Sequence, residues 1–229
     1  MSKVALVTGG TRGIGAAIAK KLKDEGFRVV STYVGKEESA QAYSKQSGIE
    51  VIKSDVSYFE SCKSAVAEVE KKYGDIEVVI NNAGITKDRF LHKMNPEEWN
   101  SVINTNLNSL FNICRNVIEK MRAKGFGRIV SISSINGLKG QVGQTNYSAA
   151  KAGIIGFSKA LALENATGAT QAQIKATEDS ILQMSLATGV ADEQLRPALG
   201  RLVRSTGDTE KAQQLLAQAL DIAAATGKP

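Results

Sequence analysis

Val4-Ala-Leu-Val7-Thr8-Gly9-Gly10-Thr11-Arg12-Gly13-Ile14-Gly15 reads as a short apolar strand running into a glycine-rich turn, and Ala16 to Lys23 continues it as an apolar-periodic helix. A wholly apolar run of this length is the pattern of a strand buried on both faces, as in a parallel sheet covered by helices. Strand, glycine turn and helix in that order can cradle a phosphate. The missing side chains let the backbone approach a pyrophosphate, and the helix N-terminus attracts its charge. The spacing Gly-x-x-x-Gly-x-Gly differs from the usual dinucleotide fingerprint, and glycine turns also serve as plain structural turns. The flanking strand and helix favour the nucleotide reading.

Four further apolar runs repeat the unit: Arg28 to Tyr33, Glu50 to Asp55, Ile76 to Ile80 and Gly127 to Ser134 read as strands, separated by helical patterns over Glu37–Gln46, Phe59–Tyr73 and an interrupted Pro96–Lys124. Alternation of this kind predicts an α/β fold, a doubly wound parallel sheet of about five strands. Ligands of such sheets bind outside the carboxyl ends of the strands, so the residues there matter most. The second strand ends in Ser31, Thr32 and Tyr33, with Arg12 in the glycine loop. A carboxylate at that end would select NAD, and its absence beside an arginine favours NADP; a merely solvated Arg12, or Glu37 or Glu38 folding back, are the alternatives. Asp55 at the third strand's end either reaches an adenine amino group or caps the next helix. The fourth strand ends in Asn81-Asn82-Ala83-Gly84, where amides and small residues can hold the strand end and let a ribose lie against the backbone. Asn106, polar among apolar neighbours, either bends its helix or holds an ordered water. His92, the only histidine, has no partner signature.

The fifth strand leads into Ser134-Ile-Asn-Gly-Leu-Lys-Gly-Gln141-Val-Gly-Gln144-Thr-Asn-Tyr147-Ser-Ala-Ala-Lys151. This stretch supplies a hydroxyl, a glycine-rich loop, and a phenol and an ammonium four residues apart on a helix. That spacing puts Tyr147 and Lys151 on one helical face. A cation beside the phenol stabilises its phenolate and makes tyrosine a usable acid-base group near neutral pH. Tyr-x-x-x-Lys taken alone also occurs on helices with no chemistry.

The net charge of +6 is unevenly placed: residues 1–165 hold 23 Lys/Arg and 16 Asp/Glu, a net +7, against −1 for residues 166–229, so the first part favours anionic small molecules. No basic run is dense enough for nucleic acid. Cys62 and Cys114 fit no metal-ligand spacing and suit a reducing compartment. The N-terminal apolar run is too short for a signal peptide and no span is long enough to cross a membrane, which together predict a cytoplasmic protein.

In sequence order, Thr8-Gly-x-x-x-Gly13-x-Gly15, Asp55, Asn81-Asn-Ala-Gly84, Asn106, Ser134 and Tyr147-x-x-x-Lys151 resemble the short-chain dehydrogenase/reductase family over residues 1–165. Ile85-Thr-Lys-Asp, Asn108-Ser-Leu-Phe-Asn and Asn136-Gly-Leu-Lys-Gly-Gln-Val-Gly-Gln-Thr-Asn-Tyr-Ser are most similar to the acetoacetyl-CoA reductases of polyhydroxyalkanoate synthesis, with 3-oxoacyl-(acyl carrier protein) reductases the nearest competitor. The resemblance implies a Rossmann-like domain that binds NADPH through Gly9, Thr11, Arg12, Gly13, Ile14, Gly15, Asp55, Asn82, Ala83, Gly84, Tyr147 and Lys151. It implies that NADPH delivers hydride to a C3 carbonyl while Tyr147 donates the proton. Ser134 would hold the carbonyl oxygen, Lys151 would bind the nicotinamide ribose, and Asn106 would anchor a relay water. Gln141 and Gln144 match acyl-CoA contact positions, or are polar loop residues. A homo-oligomer built on the helices near 101–124 and 147–165 is implied as well.

Residues 166–229 lack the sixth and seventh strands and the lid of the family pattern. They show Thr-Gly punctuation at Thr167-Gly168, Thr188-Gly189, Thr206-Gly207 and Thr226-Gly227 between Ala/Leu/Gln-rich segments. Glycine C-caps, N-caps at Asp192 and Asp208, and a capping box at Thr170-x-x-Gln173 predict about three short helices, with Pro197 near a first turn or at a kink. From about Gln173 to Lys228 this tail is similar to part of a bacteriophage tail tape-measure protein. The chain thus reads as a fusion of unrelated pieces, natural, engineered or an assembly artefact. Three functions compete: an NADPH-dependent acetoacetyl-CoA reductase, a non-catalytic chimera of nucleotide-binding remnant and helical interaction module, and a 3-oxoacyl-(acyl carrier protein) reductase.

Overall fold

Five strands, β1 Val4–Val7, β2 Arg28–Tyr33, β3 Glu50–Lys53, β4 Ile76–Asn81 and β5 Arg128–Ser131, form one parallel sheet in the order β3-β2-β1-β4-β5. The computed structural model describes residues 2–167 and 171–226. Alternation along β1 divides the core: Val4 and Leu6 face a cluster with Val66, Val69, Ile113 and Val117, whereas Ala5 and Val7 face Ala19, Ile49 and Ile80. Helices therefore cover both faces, α1 (Gly13–Asp24) on one side and α3 (Phe59–Tyr73) with α5 (Ser109–Ala123) on the other. Helix α2 (Glu37–Ser47) follows β2 and ends at Gly48, whose φ of 63° is the left-handed conformation that stops a helix.

The long helical region is interrupted as its sequence implies. Helix α4 (Pro96–Ile103) begins with an Asn95–Glu98 capping box and gives way to a π-helical turn, Asn104–Asn108, before α5. The fifth strand is shorter than its apolar run predicts. It stops at Ser131, because β4, its only strand partner among the described residues, also ends there in the pairing Asn81↔Ser131; Ser134 lies three residues beyond, in a turn. The glycine-rich stretch after it holds a short helix, α6 (Asn136–Lys139), ended by Gly140 at φ 72°. Helix α7, Thr145–Thr167, then carries Tyr147 and Lys151 in its first two turns.

The chain separates into two units, 1–157 and 158–229. In the second, α8 (Gln171–Thr188), α9 (Asp192–Thr206) and α10 (Thr209–Thr226) pack around Ile181, Leu195, Leu199, Val203, Ala212 and Leu216. Gly189 and Gly207 adopt the C-cap conformation at φ 69° and 67°, and Asp208 Oδ1 accepts from the N–H groups of Glu210 and Lys211. Asp192 is not an N-cap: Ala191 takes that place, and the Asp192 carboxylate pairs with Arg196 one turn on. Pro197 sits inside α9 and not in its first turn. Gly168, Gly227 and the Thr170 end of the proposed capping box lie outside the described residues.

Candidate active site

Strand order reverses between β1 and β4, and the loops leaving these two strands diverge there to open a crevice. A cleft of about 870 Å³ occupies it, lined by Gly9, Thr11, Arg12, Gly13, Ile14 and Gly15 from the first loop and by Asn82, Ala83 and Gly84 from the second, with Asp55 on the β3 side. All the cofactor positions expected before residue 100 thus share one cavity. Ser101, Asn104 and Thr105 line the same cleft, a contribution that the sequence reading missed because helical spacing alone does not say which face meets a loop from elsewhere.

Thr8 and Asn82 clasp the two loops. Thr8 Oγ1 accepts from the N–H groups of Asn82 and Ala83, each at 3.0 Å, and Asn82 Nδ2 donates to the carbonyls of Thr8 and Gly9 at 2.9 and 3.2 Å. The clasp leaves no room at the turn: a Cβ on Gly15 would lie 2.5 Å from both Gly9 O and Asn82 Nδ2. Gly15 therefore lets the turn pack on itself, and the loop lines the cleft through Gly9, Gly13 and Gly15, which suits a pyrophosphate at the helix N-terminus.

At the end of β2 the structure separates the expected residues. Ser31 is fully buried, and Thr32 turns its hydroxyl inward to accept from the Gly9 N–H at 3.2 Å. Neither hydroxyl is placed as a free ribose ligand, although Thr32 lines the cleft together with Tyr33 and Val34. Burial pushes the Tyr33 phenol up, with Glu37 adding to the shift. Asp55 is not a direct helix cap: α3 starts at Phe59, and Asp55 Oδ1 instead accepts from the N–H and hydroxyl of Ser57 at 3.0 and 2.6 Å while its residue lines the cleft.

Two of the four catalytic candidates, Asn106 and Lys151, meet around Gly84. A Cβ there would lie 2.6 Å from Asn106 Oδ1 and 3.8 Å from Lys151 Nζ, so both polar groups converge on a glycine that lines the cleft. Asn106 is buried at the centre of the π-helical turn, where its Nδ2 donates to the carbonyls of Ile85 and Val102, both at 2.9 Å. Its Oδ1 has no protein partner. A buried, aimed and unpaired oxygen is the acceptor that a water or ligand hydroxyl would satisfy. Lys151 is buried, its Nζ stands 5.5 Å from the centre of the Tyr147 ring, and it donates to Ile132 O at 2.6 Å. Burial holds its pKa below the ordinary lysine value. Ser133 Oγ donates to Lys151 O at 2.7 Å, and Gly137 lies so close that a Cβ would come within 2.7 Å of Lys151 C, which fixes the Ser134 turn against α7. Ser134 Oγ itself accepts from the Asn136 N–H.

Gln144 is drawn into a polar chain, accepting from Asn136 Nδ2 at 2.9 Å and donating to Asp88 at 2.8 Å. Gln141 is exposed and contributes its carbonyl to the Gln144 N–H. The two free thiols are no part of this chemistry: Cys62 and Cys114 are buried and pushed up to about 11 by that burial.

The short chain dehydrogenase family model matches residues 3–177. The chain is 58% identical over 166 residues to an acetoacetyl-CoA reductase of Shinella zoogloeoides and 55% identical over 166 residues to one of Rhizobium meliloti (strain 1021), in each case over 72% of this chain and 69% of the relative. A 3-oxoacyl-[acyl-carrier-protein] reductase of Chlamydia muridarum is 44% identical over 198 residues, 84% of this chain and 79% of that protein.

Proposed function

The chain belongs to the short-chain dehydrogenase family and is an oxidoreductase, and on that premise we propose that it reduces acetoacetyl-CoA to the 3-hydroxyacyl-CoA with NADPH. The observation that carries this reading is the convergence of Asn106 Oδ1 and Lys151 Nζ on Gly84, beside Tyr147 and at the wall of the glycine-lined cleft. The nicotinamide cofactor that the family implies would supply the reducing electron pair. Gly9 through Gly15, Asn82, Ala83 and Gly84 would hold it, with Asp55 at the adenine end. Arg12, with no carboxylate at the β2 end, favours the 2′-phosphate of NADPH over NADH.

Ser134 would orient the carbonyl oxygen, and Tyr147 would donate its phenolic proton to it. Lys151 would stabilise the resulting phenolate and hold the ribose, and Asn106 Oδ1 would hold a water through which the proton is restored. Gln144 and Gln141 stand on the same loop as candidate contacts for the thioester end. Carrier-protein thioesters are the second substrate reading, supported by the Chlamydia muridarum relative. The non-catalytic reading draws support from β5, an edge strand whose Val130 is 48% exposed. Residues 1–165 form the reductase portion of this proposal, in the cytoplasm and as a homo-oligomer, with 166–229 as a helical module like that of tape-measure proteins.

The test is NADPH oxidation with acetoacetyl-CoA. Tyr147→Phe is expected to lower kcat by about 10²–10⁴-fold, the range of a lost general acid. Wild-type turnover no higher than that of the variant would overturn the reading, and faster turnover with NADH would overturn the cofactor choice.

A further inference from the structure

Asn146 is fully buried, an uncommon state for an amide side chain, and both polar atoms of its side chain are used. Its Oδ1 accepts from the N–H of its neighbour Tyr147 at 2.7 Å. Its Nδ2 donates to Lys87 O at 3.1 Å and to Glu98 O at 3.2 Å. The first N–H groups of an α-helix have no acceptor within the helix, and Tyr147 is the third residue of α7. The Oδ1 contact therefore satisfies the orphan donor of the very residue that carries the phenol. The Nδ2 contacts bind that same point to the loop that follows Gly84 and to α4. Two exposed contacts lace the same loop to the approach of α7: Arg89 N–H to Gly143 O at 2.7 Å, and Gln144 to Asp88.

We infer that Asn146 is a positioning residue, which sets where the Tyr147 phenol stands relative to Gly84 and Lys151. The chemistry requires this residue type. A planar amide offers an acceptor and two donors on opposite sides, an aspartate lacks the donors, a leucine lacks both, and a serine has one hydroxyl for both tasks. The inference deepens the proposed function, because it rests on Tyr147 as the proton donor.

The experiment compares the full-length wild type with Asn146→Ala, Asn146→Ser and Tyr147→Phe. It records kcat, KM for NADPH, the folded fraction, and amide hydrogen exchange along α7. A displaced catalytic group costs on the order of 10²-fold, so Asn146→Ala should lose about that in kcat per folded molecule. KM for NADPH should stay within about twofold, since ground-state binding is untouched. Asn146→Ser should recover part of kcat, and exchange at the Tyr147 amide should quicken selectively in Asn146→Ala. Unchanged kcat per folded molecule, a serine no better than alanine, or exchange raised evenly along α7 would each overturn the assignment. If the wild type turns over no faster than Tyr147→Phe, the functional reading fails by itself. The exchange pattern then decides the role of Asn146: selective loss at Tyr147 sustains it and uniform loss overturns it.

Discussion

Lys151 keeps an ammonium group where water barely reaches, held by Ile132 O beside the Tyr147 ring. Its burial lowers its pKa from 10.5, and the sign of the consequence follows from linkage. A depressed lysine binds fewer protons in the folded than in the unfolded chain, so it weakens the fold while protonated in both states. That penalty fades as pH rises through the folded pKa toward 10.5. Lys151→Met removes the charge at a pH-independent loss of one hydrogen bond. Urea unfolding should therefore show the variant faring better relative to wild type at neutral pH than at alkaline pH, and a pH-independent difference would refute burial as the cause. Turnover should fall in the same variant, so stability and activity part company at one residue. The Tyr147–Lys151 pair was legible because one helical turn links them. The role of Asn146 was not, although it sits next to Tyr147, because the Lys87 and Glu98 carbonyls arrive from 59 and 48 residues away.

At the level of elements, strands and helices followed from apolar periodicity, and the departures have local causes. The run Gly127–Ser134 predicts a strand to its end, yet a strand lasts only as long as its partner, and β4 stops at Asn81. The interruption at Asn106 was expected from its polarity, whereas the π-helical form of the turn depends on the Ile85 and Val102 carbonyls that capture its amide. Glycines of α6 and α7 separate the two uses of a missing side chain. Around Gly156 in α7 a Cβ meets nothing within 4 Å, so Gly156→Ala should raise stability by about 0.5–1 kcal/mol. Gly153 faces Leu107, with a Cβ 2.8 Å from its Cδ2, and Gly137 faces the α7 backbone. Gly137→Ala should lower both stability and turnover, as it wedges the Ser134 turn away from Lys151. Thermal unfolding of the three alanine variants in parallel checks the order Gly156 above wild type and Gly137 lowest.

On the scale of the molecule, β3 and β5 are the two margins of the sheet, and Val130 of β5 is 48% exposed. An unpaired edge of this kind templates further pairing, and an edge lysine suppresses it. Val130→Lys should reduce concentration-dependent self-association in light scattering with little change in turnover; equal association would show that the edge is covered. The parallel sheet and the three-helix character of the tail were readable from pattern, because each depends on periodicity within short segments. The wall of the cleft supplied by α4 and the π-helical turn was not, because it depends on how distant elements stack. The Thr8–Asn82 clasp joins residues 74 positions apart, and this separation orders events in time as well as in space. During synthesis, at about 5–20 residues per second, β1 and its glycine loop emerge seconds before β4 can meet them. The nascent chain therefore lacks the Thr8–Asn82 clasp, and with it the second wall of the cleft, until its fourth strand is free of the ribosome.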